Sequence, residues 1–241
     1  MRFKTSITRI EEGKEIIRGH ELRDLVRENN FSESIYLILK GKLPNKQEAR
    51  MFDAILTSVI DHGPGVASAI AARVSASAKN SMHTSLAAGI LSFGDRHGVA
   101  SGAAMKFFYD HIKDSDLEAT LKSMKEKKEY VPGLGHKLFQ KEDPRSTTLF
   151  EIAKETGIFG SYCVFALAVS EISNRLSSKM LPLNVDGAIA AILCDMGFDY
   201  RLGKGIFMIG RVPGLIAHIY EETLNDEGIR RIPEEQIDYT D

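Results

Sequence analysis

Residues 67–78 read ASAIAARVSASA, a run of almost exclusively small side chains, and Thr84 to Gly89 (TSLAAG) continues the theme. Side chains this small let helix axes approach closely, so two such helices belong at the centre of a molecule or in a subunit interface. Most of the remaining chain also reads as helix. Asn45 with Glu48 three residues later predicts an N-cap opening a helix to about Ile60. Ser115 with Glu118 repeats the device, and Asp143-Pro144 places a cap before a proline at the first helical position, where its missing N–H costs nothing. Further helices are expected over 64–79, 82–93, 98–112, 160–178, 185–196 and 204–225. Only the start differs. Phe3, Thr5 and Ile7 alternate, the pattern breaks at Glu11-Glu12-Gly13 and resumes at Ile16-Ile17, which predicts a small hairpin. The expected fold class is all-α with a minimal N-terminal β hairpin. With no internal repeat or low-complexity linker, residues 1–241 read as a single compact unit, a large helical domain with a small helical subdomain at roughly 98–200.

Composition narrows the partners. The formal net charge is −2 with no basic block, which argues against nucleic acid and anionic lipid. The longest apolar stretch, around Ser161–Ser173 (SYCVFALAVSEIS), falls short of the roughly 20 residues a membrane span needs. The opening MRFKTSITRIEEG has no hydrophobic stretch suited to a signal peptide, so a cytoplasmic location is expected. Cys163 and Cys194 sit among apolar neighbours and read as small core residues.

Glycines and polar residues interrupt the helices at four places, each with a titratable group: Asp61-His62-Gly63-Pro64, Gly94-Asp95-Arg96-His97-Gly98, Val131 to Lys137 (VPGLGHK) with Asp143-Pro144-Arg145 behind it, and Leu183 to Gly187 (LNVDG). A histidine beside glycine at a helix end suits proton transfer, because backbone can approach a ligand there and imidazole titrates near neutrality. Singly, each has a structural alternative. His62 could cap a helix C-terminus, His97 could be a surface histidine at a helix start, and Gly133-Leu134-Gly135 could be only a turn. Asn184 and Asp186 could cap a helix and complement its dipole. His20, His83, His111 and His218 carry no functional reading. No spacing suggests a metal site or a Ser–His–Asp triad.

The ordered set DHGP, GDRHG, PGLGHK…DPR, LNVDG and GIFMIGR…IAH resembles the citrate synthase superfamily along nearly the whole chain, most nearly the citryl-CoA lyases and the C-terminal lyase domain of ATP-citrate lyases. IIRGHELRDL followed by FSESIYLILKGKLP looks like the family's N-terminal segment. The resemblance implies an all-α fold, a homodimer or dimer of dimers with shared sites, and CoA thioester chemistry with no covalently bound cofactor. It matches His136 to the histidine that exchanges a proton with the oxaloacetate carbonyl oxygen, and Asp186 to the carboxylate that exchanges one with the acetyl methyl. Arg145 and Arg211 match arginines that clamp substrate carboxylates, a role suited to the guanidinium fork. Gly133, Leu134, Gly135 and Lys137 match the segment that closes over CoA. Either His97 or His62 matches the histidine that stabilises the enolate. Arg231, in Arg231-Ile232-Pro233, matches the arginine that reaches a neighbouring subunit's site.

Citrate synthases of this family carry a long extra helical region between the segments like KGKLP and DHGP, whereas only one helix fits here between Pro44 and Asp61. That compact form is the pattern of citryl-CoA lyases, which split citryl-CoA into acetyl-CoA and oxaloacetate. No ATP-grasp or other nucleotide domain fits in this length, so ATP-dependent citrate cleavage by this chain alone is not expected; a separate partner could activate citrate. Two alternatives stay open: a compact citrate or 2-methylcitrate synthase, and a non-catalytic CoA-binding regulatory subunit.

Overall fold

The computed structural model describes residues 2–94, 97, 100–136 and 142–240. Three short antiparallel strands come first: β1 (Thr8–Glu11), β2 (Lys14–Ile17) and β3 (His20–Glu21). Glu11 pairs with Lys14 across a two-residue turn in which Glu12 (φ 49°) and Gly13 (φ 74°) are both left-handed, the geometry that matches strand twist in tight hairpins. The expected hairpin is present, with β3 added through the pairing of Ile17 with His20. Everything else regular among the described residues is helical: α1 (Leu22–Glu28), α2 (Phe31–Lys40), α3 (Lys46–Ser58), α4 (Ala67–Ser77), α5 (Met82–Leu91), α6 (Ser101–His111), α7 (Leu117–Glu126), α8 (Pro144–Glu155), α9 (Ser161–Leu176), α10 (Val185–Asp195) and α11 (Gly203–Asn225), with two short 3₁₀ turns. The all-α expectation holds. Among the described residues no helix is long and apolar enough to cross a membrane.

Several helix starts follow their caps. Asn45 and Glu48 exchange hydrogen bonds at 2.8 Å each way, and Asn30 with Glu33 forms the same box ahead of α2. At α7 the expected cap shifts by one residue. Asp116, not Ser115, accepts from Ala119 N at 2.9 Å, because the helix begins at Leu117 and a carboxylate is available at the capping position.

Residues 1–58 and 100–206 form one compact unit. Its axis is α10, whose sequence VDGAIAAILCD is apolar all round apart from an aspartate near each end. Ala188 to Leu193 are fully buried, and α6, α8 and α9 pack around them. Burying Ile189, Ile192 and Leu193 stabilises the unit by about 1.5–3 kcal/mol each. The C-terminal end of α10 is held twice. Lys40 donates to Met196 O at 2.9 Å, and Asp195 accepts from the N–H groups of Gly160, Tyr162 and Cys163 at 2.9–3.0 Å, capping α9. Tyr36, Phe52 and Phe198 make a second aromatic centre, with centroids 5.3–5.8 Å apart. Cys163 and Cys194 are buried free thiols, as expected, and burial pushes the Cys194 thiol up to about 12.

Residues 59–99 and 207–241 form the second compact unit. Here the small-residue helices meet. A Cβ on Gly89 of α5 would lie 3.1 Å from the Ala72 Cβ of α4 and 3.3 Å from Leu215 of α11. Ala69, Ala72 and Ala76 pack with Leu215 and Ile219 as the core of this unit. The opposite face of α4 leaves Ile70 and Val74 about half exposed, and α11 exposes Ile216, Tyr220 and Leu224 at four-residue spacing.

Candidate active site

In the first unit the chemistry-bearing residues gather at the N-terminal end of α10. Asp143, fully buried, caps α8 and holds Arg145 side-on. Its Oδ1 accepts from Arg145 N and Nε at 3.1 and 3.0 Å, and its Oδ2 from Arg145 Nη2 at 2.8 Å. Oδ2 also accepts from Val185 N, the first helical residue of α10, at 3.0 Å. One carboxylate thus joins two helix starts and aims a guanidinium. Burial raises the Asp143 carboxyl, but the Arg145 hydrogen bonds and charge with the Val185 N–H outweigh it and hold the group below the usual carboxylate range.

Arg145 Nη2 lies 3.3 Å from His136 Nε2. Arginine can only donate, so Nε2 is the acceptor and the imidazole proton sits on Nδ1. Burial and the Arg145 charge both lower the His136 pKa, against a smaller opposing effect from Asp143. The histidine is therefore a neutral base at ordinary pH.

The glycine loop before His136 is zipped to the segment before α10. Gly135 N donates to Pro182 O at 2.7 Å, Asn184 N to Gly133 O at 3.0 Å, and Asn184 Nδ2 to Gly135 O at 2.8 Å. Asn184 Oδ1 accepts from Gly187 N at 3.1 Å, so Asn184 rather than Asp186 caps α10. Gly133 is left-handed (φ 85°), and a Cβ there would lie 2.6 Å from Gly187 Cα. Asp186, relieved of capping, accepts from Ser101 N at the start of α6 at 3.2 Å. Its carboxylate thus lies beside the first turns of both α10 and α6.

Behind this loop is a cavity of about 370 Å³ in the same unit. Leu121, Val131, Leu134, Leu176 and Leu181 supply apolar wall, and Lys125 and Lys128 supply positive charge against one carboxylate, Glu129. Ser173 also lines it, and its buried Oγ has no hydrogen-bond partner among the described residues.

The second unit holds the remaining candidates. His97 Nε2 accepts from Ser68 N at 3.1 Å and lies 2.9 Å from Ser68 Oγ, which places the ring proton on Nδ1. The ring stacks on Phe93 at 5.3 Å. His62 is half-buried in a turn that Asp61 organises by accepting from Gly63 N at 2.9 Å. Helix α11 fixes that turn. Arg211, buried over the Phe207 ring, donates from Nε to Val59 O at 2.6 Å, and His218 Nε2 lies 3.0 Å from Asp61 Oδ1. A Cβ on Gly214 would lie 2.3 Å from Ile60 O, so the close approach of α11 needs glycine there. Arg231 is exposed on the C-terminal segment, beside Arg230, whose guanidinium grips buried Glu222 together with Arg73.

Of the residues singled out in the sequence, the first unit contains His136, Arg145, Asp186, Gly133, Leu134 and Gly135, and it brings His136 and Arg145 into contact. The second contains His62, His97, Arg211 and Arg231. Lys137, assigned to CoA, lies outside the described residues. Sequence reasoning missed the partners. From the sequence Asp143 reads only as a cap, although its spacing to Arg145 suits a side-on pair, His218 carries no role, and Ser68 lies within a run of small residues.

The family model of the citrate synthase C-terminal domain matches residues 1–54 and 45–232. The citryl-CoA lyase of Hydrogenobacter thermophilus superposes with a TM-score of 0.93 at 47% identity, covering 99% of this chain and 94% of that one. The ATP citrate lyase of Methanosaeta concilii, solved in complex with (3S)-citryl-CoA, gives a TM-score of 0.88 at 28% identity, covering 100% of this chain and 42% of that one. Citrate synthase 2 of Bacillus subtilis is 29% identical over 237 residues, or 98% of this chain, which spans 61% of that relative's length. Motif order, helical fold and family model agree over almost the entire length, and on that agreement the chain belongs to the citrate synthase family.

Proposed function

We propose that this protein cleaves citryl-CoA to acetyl-CoA and oxaloacetate. The observation that carries the reading is the near end-to-end likeness, 47% identity over 99% of the chain, to a citryl-CoA lyase of almost the same length. A second observation supports it: α3 alone fills the interval between Pro44 and Asp61, as the compact lyase pattern requires.

In this reading Arg145 and Arg211 take substrate carboxylates, with Arg231 acting toward a second copy's site. A carboxylate on Arg145 competes for its Nη2–H and releases the His136 Nε2 lone pair, which takes the proton of the citryl hydroxyl as the carbon–carbon bond breaks. The bonding pair moves onto the thioester as an enolate. The Nδ1–H of His97, held in that tautomer by Ser68, stabilises the enolate oxygen, a task for which His62 is the alternative. Asp186 delivers a proton to the enolate carbon, giving acetyl-CoA. The pocket behind Leu134, apolar with two lysines and one glutamate, suits the nucleotide end of CoA through the excess of positive charge and extends the assignment of Gly133, Leu134, Gly135 and Lys137. The working protein is a homodimer or dimer of dimers, supplied with citryl-CoA by a separate citrate-activating enzyme.

The test is a product partition. Purified protein is given citryl-CoA, and oxaloacetate (by malate dehydrogenase coupling) is scored against citrate plus free CoA. Mostly oxaloacetate and acetyl-CoA is expected. Mostly citrate would replace this reading with a compact citrate or 2-methylcitrate synthase, which the likeness to a Bacillus citrate synthase favours.

A further inference from the structure

Asn184 makes more connections than capping a helix requires. Its Oδ1 accepts from Gly187 N (3.1 Å), its N–H donates to Gly133 O (3.0 Å), its carbonyl accepts from Ser146 Oγ (3.0 Å), and its Nδ2 donates to Gly135 O (2.8 Å). Only the first is the work of a cap, and serine or aspartate performs it equally well. The Nδ2 contact needs an amide. Serine has no second polar atom and its Oγ lies one bond nearer the backbone. Aspartate would set an oxygen against the Gly135 carbonyl. Gly135 immediately precedes His136, and Asp186 follows Asn184 by two residues.

We propose that Asn184 is a positioning residue: its side-chain amide ties the Gly135 carbonyl to the start of α10 and so fixes the placement of His136 relative to Asp186. The inference rests on the reading of those two residues as the proton carriers. Two further contacts agree with it. The carbonyl of Gly133 bonds to Asn184 N, and the backbones of Gly133 and Gly187 touch, so the loop has no other place to settle while the amide bond is made. Without that bond Gly135 keeps the hydrogen bond from its N–H to Pro182 O, and His136 keeps its contact with Arg145.

The experiment compares N184S and N184D with the natural protein. N184S keeps a neutral cap, so α10 stays formed, while Gly135 loses its donor. Turnover of citryl-CoA is expected to fall about 10- to 100-fold in kcat, the loss that follows when a reacting group is misplaced by about an ångström. KM should change by less than about threefold, because the substrate-binding arginines are untouched. Two readouts need no substrate. The Gly135 amide should exchange with solvent faster in N184S, and the His136 imidazole, followed by NMR, should titrate closer to its ordinary value. N184D, also a good cap, should be impaired at least as much. Folded N184S and N184D with wild-type kcat would overturn the proposal and leave Asn184 as a cap. If the natural protein does not turn over citryl-CoA, the proposed function fails while exchange and titration still decide the tether: unchanged values in N184S overturn it, and moved values sustain it.

Discussion

At the scale of single residues, Asp143 is the group on which most else depends. It is fully buried, joins the starts of α8 and α10, and orients Arg145. Removing one member of a buried ion pair leaves the other's polar partners unmatched, so D143A is expected to cost about 3–5 kcal/mol in denaturant unfolding. Asp143 also sets a pH dependence. Its folded-state pKa is depressed, so its contribution is complete above the unfolded value near 3.8 and is lost as pH falls through the lower folded value. His136 acts earlier in the acid direction. Its folded pKa is lowered, so the unfolded chain binds a proton first and stability begins to drop as pH falls below about 6.5. A melting temperature that starts to fall near pH 6.5 and falls further below pH 4 is expected, and D143A should make the second part of that decline shallower without removing it, because Glu48, Asp61 and Glu222 are also held below the usual carboxylate range. The sequence made the identities of these residues legible, since glycines beside histidines mark helix ends. Their partners were not, because which N–H a carboxylate meets depends on elements 40 residues apart, as with Asp143 and Val185.

At the scale of elements, local chemistry did most of the work that sequence could read. Asn45 with Glu48 and Asp143 with Pro144 open helices where their patterns predict. Ser115 misled because Asp116, one residue later, is an equally good cap and the helix follows it. The C-terminal segment after α11 was opaque, having neither periodicity nor caps. It is anchored by one buried group: Glu222, 3% exposed, accepts from Arg73 Nε at 2.7 Å and from Arg230 Nε at 2.6 Å, and Arg230 N donates to Ser77 Oγ at 2.9 Å. E222Q keeps the shape and removes the charge that holds both guanidinium groups. Trypsin should then cut after Arg230 and Arg231 at least about tenfold faster, because local release, not global unfolding, exposes those bonds. Equal cutting rates would mean that the segment is held some other way.

At the scale of the whole molecule, the small-residue run read in the sequence acquires two faces. One packs Ala69, Ala72 and Ala76 against Leu215 and Ile219. The other leaves Ile70 (48% exposed), Val74 (43%) and, on α11, Tyr220 (58%) and Leu224 (64%) outside. Apolar side chains in rows of this kind mark association surfaces, in keeping with the proposed homodimer. Sedimentation of the natural protein should therefore give a dimer or larger, and V74D, which sets a charge in the row, should shift it toward monomer. A monomeric natural protein would remove that part of the proposal. The fold class was legible because helix caps and apolar periodicity are local. The division of the candidate residues between two packed units was not, since it follows from contacts the sequence does not record.

The meeting of Gly133 with Gly187 has a consequence for how this chain can change over generations. Where two glycines touch, neither has a side chain to lose, so every single substitution adds atoms at a place with no room for them. Adaptation elsewhere in the site can proceed by trading one side chain for another. Here the ruler is the backbone's own van der Waals thickness, and the distance it sets cannot be tuned by small steps. Variation in substrate preference within a lineage of such proteins should accordingly accumulate around the arginines and the cavity wall, and leave this pair of positions alone.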